Sequence, residues 1–249
     1  MKIALFAIVA VLLFTSNAYA EVRILAASSM TNVLQHMKQD FQKQTGIDVK
    51  TVFGSSSSLA RQITQGAPAD LYLSANIRWA EYVLAERSLP PSRMKTLARN
   101  QLVLISPAKR DVSSFDLKDP NWWSTQLDGE RLAMGIPTSV PAGIYAKQAL
   151  ESLGVWDSVK RHMAQTNNVR VALALAERGE VPLSIVYRTD ILSSDNVTAL
   201  TSFNDKWHDP IVYPLVNLSM SSEAIAFSRY LHSDQGKAIL NQYGFVTEN

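Results

Sequence analysis

The chain has 249 residues, 47% of them hydrophobic and 18% charged, with 10 Gly and 10 Pro, a balance that excludes a disordered or collagen-like polymer and requires a buried core. Its 24 Lys and Arg against 22 Asp and Glu give a net charge of +2, too small for a surface that neutralises nucleic-acid phosphates. Cysteine is absent, which excludes disulfides, thiolate catalysis, thiolate-held zinc or iron–sulfur clusters and lipid attachment through an N-terminal Cys; the four histidines (His36, His162, His208, His232) are too scattered to suggest a metal site.

In chain order, residues 1–20 read as a leader. Lys2 supplies a positive charge, Ile3 to Phe14 is an apolar run, and the stretch ends Ala18-Tyr19-Ala20, an Ala-x-Ala cleavage pattern. The run is shorter than the about 17–25 residues a membrane-spanning helix needs. The expectation is a cleaved secretory signal and an exported mature protein starting at Glu21.

From Glu21 onward, short apolar runs alternate with stretches of helical period, the pattern of an α/β protein with largely parallel sheets. Strands are predicted at Val22–Ala27, Asp48–Phe53, Leu71–Ser74, Leu102–Ser106, Leu132–Ile136, Leu183–Tyr187 and Ile211–Val216. Val33, Leu34, Met37 and Phe41 mark the first helix, with Gly46 where a C′ glycine belongs. Further helices are predicted over Leu59–Gln65, ended by Gly66, and over Trp79–Glu86, Gly143–Leu153 and Val169–Arg178, with one helical segment from Ser222 to Tyr243. No internal repeat or charge block is visible.

One junction recurs: a strand ends, small polar residues follow, and a helix begins. Ser28-Ser29-Met30-Thr31, Ser55 to Ser58, Thr138 to Gly143 and Asn167-Asn168 all fit it. Helix starts expose unpaired N–H groups and the positive end of the helix dipole, so several converging starts make an anion cradle without a formal cation. Taken singly, each Ser or Asn is an ordinary N-cap. In parallel α/β sheets, however, strand carboxyl ends share a direction and ligands settle outside them. Four serines in a row also exceed what one cap needs. Tyr187, at the end of an apolar strand, reads either as a core aromatic or as a phenolic donor into a cleft. The five tryptophans are too dispersed for a sugar platform and read as packing residues.

Enzyme signatures are sparse. G-x-S-x-G, H-E-x-x-H, G-x-G-x-x-G and the P-loop pattern are all absent. Ser106-Pro-Ala-Lys109 fits S-x-x-K and Ser194-Asp195-Asn196 fits S-D-N, but the third element of acyl-transferring serine enzymes, K-T-G, is missing. The expectation is no enzyme and no catalytic residue.

Ala26-Ala-Ser-Ser29-Met-Thr-Asn32, Phe53-Gly-Ser-Ser-Ser-Ser-Leu-Ala-Arg-Gln62, Gly66-Ala-Pro-Ala-Asp70, Val140-Pro-Ala-Gly-Ile-Tyr-Ala146, Val169 to Arg178, Pro182 to Tyr187 and Tyr243-Gly-Phe245 occur in that order over nearly the whole chain after residue 20. Together they resemble the periplasmic molybdate-binding proteins of ABC transporters. The resemblance implies a two-lobed periplasmic binding protein of the type II-like arrangement, each lobe a mostly parallel sheet flanked by helices, with the ligand cleft between them. Its lobes would comprise residues 21–99 plus 195–249, and residues 100–194. It implies capture of molybdate or tungstate and delivery to a membrane permease, by a monomer with no cofactor and no nucleic-acid partner. The family's oxyanion donors fall on Ser29, Ser56, the Ala142 and Val169 N–H groups and the Tyr187 hydroxyl, with no metal held by side chains. Gly54 stands where many relatives carry alanine. A donor-only set disfavours protonated anions, whose O–H would go unpaired. Sulfate, also a dianion, remains the alternative ligand, and ferric ion lacks the clustered Tyr, His and carboxylate ligands it would need.

Overall fold

The computed structural model describes residues 21–112 and 115–247; the expected leader of residues 1–20 and its cleavage site lie outside them. Strand β1 (Glu21–Ala27) runs through a 3-10 turn at Ser28–Met30 into α1 (Thr31–Thr45). Val33, Leu34, Met37 and Phe41 of α1 are buried at the predicted spacing, and Gly46 closes the helix at φ +73°, a left-handed conformation glycine adopts without strain. Next come β2 (Asp48–Gly54), α2 (Ser56–Thr64), β3 (Leu71–Leu73), α3 (Ile77–Glu86) and β4 (Met94–Arg99). The middle of the chain forms β5 (Leu102–Pro107), α4 (Pro120–Leu127), β6 (Leu132–Gly135), α5 (Pro141–Ser152), α6 (Trp156–Val159), β7 (Met163–Thr166), α7 (Val169–Glu177), β8 (Leu183–Tyr187), α8 (Arg188–Ile191) and β9 (Val197–Ser202). It ends in β10 (Val212–Asn217), α9 (Ser222–His232) and α10 (Asp234–Gln242).

These elements make two lobes, each built on one five-stranded sheet, in the orders β2-β1-β3-β10-β4 and β7-β6-β8-β5-β9. In each sheet three consecutive strands are parallel, and the fourth, β10 or β5, pairs antiparallel on both sides. Four strands of each sheet therefore share a direction, and the sheets are mixed because each contains the strand that carries the chain into or out of its lobe.

The chain leaves the first sheet at Arg99 and joins the second at Leu102. Its return differs from the expectation. Strand β9 lies beyond residue 195 yet pairs with β5 along Val103–Pro107, so residues 197–202 belong to the second sheet and the return falls between Ser202 and Val212.

Strands β4, β7 and β9 were not predicted, and all are sheet edges. An edge strand packs few side chains, so its sequence carries little apolar alternation; β9 (VTALTS) has no fully buried residue. The predicted helix from Ser222 to Tyr243 is two helices, because Ser233 takes extended dihedrals (φ −69°, ψ 164°) and its hydroxyl caps α10 by accepting from Gly236 N–H at 3.1 Å. Gly236 sits tightly in that corner, where a Cβ would lie 2.4 Å from the Tyr230 carbonyl oxygen.

Packing follows the period of two along the strands. On the first sheet, Leu25, Tyr72 and Val216 face α2 and α3 and cluster with Leu59, Ile63, Val83 and Leu84, whereas Ile24, Ala26, Leu71 and Leu215 face α1 and α9. The larger cluster continues through Leu102, Tyr187, Tyr213 and Phe245 into the second lobe, so apolar packing joins the lobes at the crossings.

Candidate functional site

Parallel strands place their carboxyl ends on one edge of a sheet, and here the two edges face each other. Between them lies a cavity whose wall comes from six strand-to-helix junctions. The first lobe contributes Ala27 to Ser29 after β1, Gly54 to Ser56 after β2 and Ala75 after β3. The second contributes Val140 to Ala142 before α5, Asn168 and Val169 at the start of α7, and Tyr187 at the end of β8. None of the lining residues carries a formal charge. The cavity is small, with about 200 Å3 of empty space including its open mouth.

Each expected site residue lies on this wall. Ser29 is buried in the 3-10 turn, with Oγ 2.9 Å from the Tyr213 hydroxyl. Ser56 opens α2; its Oγ accepts from Ala75 N–H at 2.9 Å and its carbonyl accepts from the Tyr72 hydroxyl at 2.7 Å. Among the neighbouring serines, Ser55 and Ser57 are buried and bond each other at 2.8 Å, so the run is partly absorbed by local structure.

Ala142 and Val169 sit in the first turns of α5 and α7, where backbone N–H groups have no intrahelical acceptor. The Asn168 side chain takes the Val171 N–H at 3.1 Å. Helix α5 can approach the end of β6 only because two glycines meet there: a Cβ on Gly143 would stand 2.1 Å from the Gly135 carbonyl oxygen. By contrast, a Cβ on Gly54 would meet only the Leu59 side chain, at 3.3 Å, so an alanine at this position is accommodated by a small shift.

Tyr187 is 1% exposed, and its hydroxyl is buried without a hydrogen-bond partner. Burial pushes its ionisation well above the ordinary tyrosine value, and the neighbouring Tyr213, Tyr145 and Asp190 add to that, so it carries a proton with nowhere in the protein to donate it. An orphaned buried donor on a cavity wall is the mark of a group that meets a ligand.

The lobes also touch directly. Asn76 Nδ2 donates to the Tyr145 hydroxyl at 2.9 Å, which in turn donates to the Ala75 carbonyl at 3.3 Å, and Trp79 Nε1 donates to the Ser139 carbonyl at 2.9 Å. Arg170 reaches from α7 to the Ser29 carbonyl at 3.4 Å while its Nε lies 2.7 Å from Asp190 Oδ1, close but out of line for a hydrogen bond. Asp190 is fully buried, and burial raises its pKa although the Arg170 charge and the Tyr187 N–H oppose the shift.

Sequence reasoning missed Ala75, Asn76, Asn100 and Tyr213. Ser74-Ala75-Asn76 follows a predicted strand and precedes a helix, so the junction pattern contained it. Ser106 lies outside the cavity, on β5, where its hydroxyl donates to the Pro107 carbonyl at 3.4 Å. No group of three or more His, Cys, Asp or Glu that could hold a metal ion occurs among the described residues, and none of their helices is long and apolar enough to cross a membrane.

Residues 22–246 match the family model of bacterial extracellular solute-binding proteins. The chain is 42% identical to the "Molybdate-binding protein ModA" of Haemophilus influenzae, over 98% of this chain and 97% of that protein. It is 40% identical to the protein of the same name in Escherichia coli, over 92% of this chain and 91% of the relative. Among solved structures, the periplasmic molybdate-binding protein of Azotobacter vinelandii superposes with a TM-score of 0.75 at 25% identity, over 92% of this chain and all of that one.

Proposed function

This chain belongs to the bacterial extracellular solute-binding proteins, and from that premise we propose how it works: it captures molybdate or tungstate between its lobes and hands the anion to an ABC permease. The observation that carries this reading is the unpartnered Tyr187 hydroxyl on a cavity walled by helix starts and serines and by no charged side chain. A dianion fits such a wall, since donors to a charged ligand contribute about 1.5–3 kcal/mol each and no buried cation is needed.

The donors are the hydroxyls of Ser29, Ser56 and Tyr187 and the N–H groups of Ala142 and Val169. Each lobe supplies part of the set, so only the closed form satisfies every oxygen, and binding shifts the population towards closure. The lobes turn about the crossings at residues 100–101 and 203–211. The anion is cargo, with no cofactor and no catalytic step. The protein acts as a monomer in the periplasm after cleavage behind Ala20, which an intact mass beginning at Glu21 would verify.

Thermal unfolding with each anion tests the reading. A ligand at about 1,000 times its dissociation constant stabilises by roughly 4.1 kcal/mol, and each kcal/mol moves the midpoint of a chain this long by about 2–4 °C. Molybdate and tungstate are expected to raise the midpoint by about ten degrees, and sulfate and phosphate to leave it nearly unchanged. A rise with sulfate alone would reassign the ligand, and no rise with any oxyanion would remove the reading.

A further inference from the structure

The oxyanion reading, on which this inference rests, sets a requirement that the two lobes meet differently. A backbone N–H can only donate, whereas a serine hydroxyl can also accept, so a serine facing an anion must be kept from turning its lone pair towards it.

Beneath Ser29 the hydrogen bonds run in one direction. Gln101 N–H donates to Asn100 Oδ1 at 2.9 Å, which fixes the orientation of that amide. Both Asn100 Nδ2 hydrogens are then engaged, one with Thr189 Oγ1 at 2.9 Å and the other with the Tyr213 hydroxyl oxygen at 3.1 Å. The Tyr213 oxygen therefore accepts, and its single proton goes to its remaining partner, Ser29 Oγ, at 2.9 Å. Tyr213 is fully buried, and burial raises its ionisation well above the ordinary range, which keeps that proton in place. Ser29 Oγ accepts from below, and its own hydrogen is left for the cavity. Ser56 is set the same way by one bond, since Ala75 N–H takes one lone pair of its oxygen at 2.9 Å and leaves the hydrogen for the cavity.

We propose that Asn100 and Tyr213 are positioning residues that turn the Ser29 hydrogen towards the cavity, biasing the site to fully deprotonated oxyanions over monoprotonated ones. Neither residue lines the cavity; they act through Ser29. Asn100 stands on the first crossing and ties Thr189 of the second lobe to Tyr213 of the first, so the chain of bonds runs through the hinge.

The test is calorimetric binding of molybdate and of phosphate, which keeps at least one proton at neutral pH, to the wild type, Tyr213→Phe, Ser29→Ala and the double variant. Tyr213→Phe is expected to weaken molybdate about tenfold, to weaken phosphate less, and to add nothing in the Ser29→Ala background. Asn100→Ala keeps Tyr213 but frees its oxygen to accept from Ser29; it is expected to narrow the molybdate-to-phosphate ratio likewise, and it carries the test if Tyr213→Phe does not fold. Equal losses for both anions, or a Tyr213→Phe loss undiminished without the Ser29 hydroxyl, would overturn the proposal while leaving the site standing. A wild type that binds no oxyanion would overturn both.

Discussion

The two lobes share one pattern of strand directions and bring three strand-to-helix junctions each to one cavity, yet they arm those junctions with different chemistry. The first lobe offers serine side chains whose oxygens are occupied from behind, Ser29 by Tyr213 and Ser56 by Ala75 N–H. The second offers the main chain of Ala142 and Val169, plus the Tyr187 hydroxyl that nothing in the protein satisfies. On the proposed reading the same fold supplies donors by two routes: a main chain whose N–H groups can only donate, and serine hydroxyls whose bonds from behind leave their hydrogens for the cavity. Mutations should separate the routes, because a backbone donor is lost only when its helix moves, while a hydroxyl is lost atom by atom.

The largest effect is expected from Gly143→Ala, which puts a methyl group where the Gly135 carbonyl oxygen now lies 2.1 Å away and pushes the start of α5 outward. Overpacking of this kind costs about 1–3 kcal/mol, so the ligand-free midpoint should fall by about 2–12 °C. Molybdate affinity should drop by more than about a hundredfold as the N–H groups of the first turn leave the wall. Differential scanning calorimetry and titration measure the two losses on the same sample.

Tyr187→Phe should weaken molybdate by about ten- to a hundredfold. Its ligand-free midpoint should hold or rise, because the hydroxyl it removes has no partner to lose. Unchanged affinity would return Tyr187 to the role of a core aromatic. Ser56→Ala should weaken molybdate by about tenfold and, unlike Tyr187→Phe, lower the ligand-free midpoint, since it strips the buried Ala75 N–H of its acceptor. That contrast in ligand-free stability is the sharpest difference between the lobes.

Two changes should leave binding untouched. Burial holds the Tyr187 ionisation well above the usual value near 10, so raising the pH from 7 to 9 leaves the group protonated and the affinity flat; a loss of affinity across that interval would mean the phenol titrates. Ser106→Ala, outside the cavity, should bind as the wild type does.

Legibility in the sequence tracked locality. The junctions at Ser29, Ser56, Ala142 and Val169 were visible because each is a short segment in which a strand end, small polar residues and a helix start adjoin. Tyr187 was ambiguous from its neighbours, since a strand-ending aromatic is compatible with core or cleft, and its orphaned hydroxyl in the folded chain is what favours the cleft. The Asn100–Tyr213–Ser29 chain was invisible: its bonds join residues 113 and 184 positions apart, and no local pattern encodes them. The edge strands β4, β7 and β9 escaped for want of apolar alternation, and with β9 went the place of the return crossing. The common pattern of strand directions left no trace as a sequence repeat, because the chain enters it at a different strand in each lobe.

Trp79 has a further use. Its indole N–H is bonded to the Ser139 carbonyl across the cleft, and its ring lies under the Arg61 guanidinium at 5.0 Å. On the proposed opening of the lobes, the indole exchanges a fixed acceptor for water, and its emission is expected to change. Closure therefore has a native optical reporter, one of five tryptophans in the chain, that registers the arrival of an anion having no colour of its own and needs no attached dye.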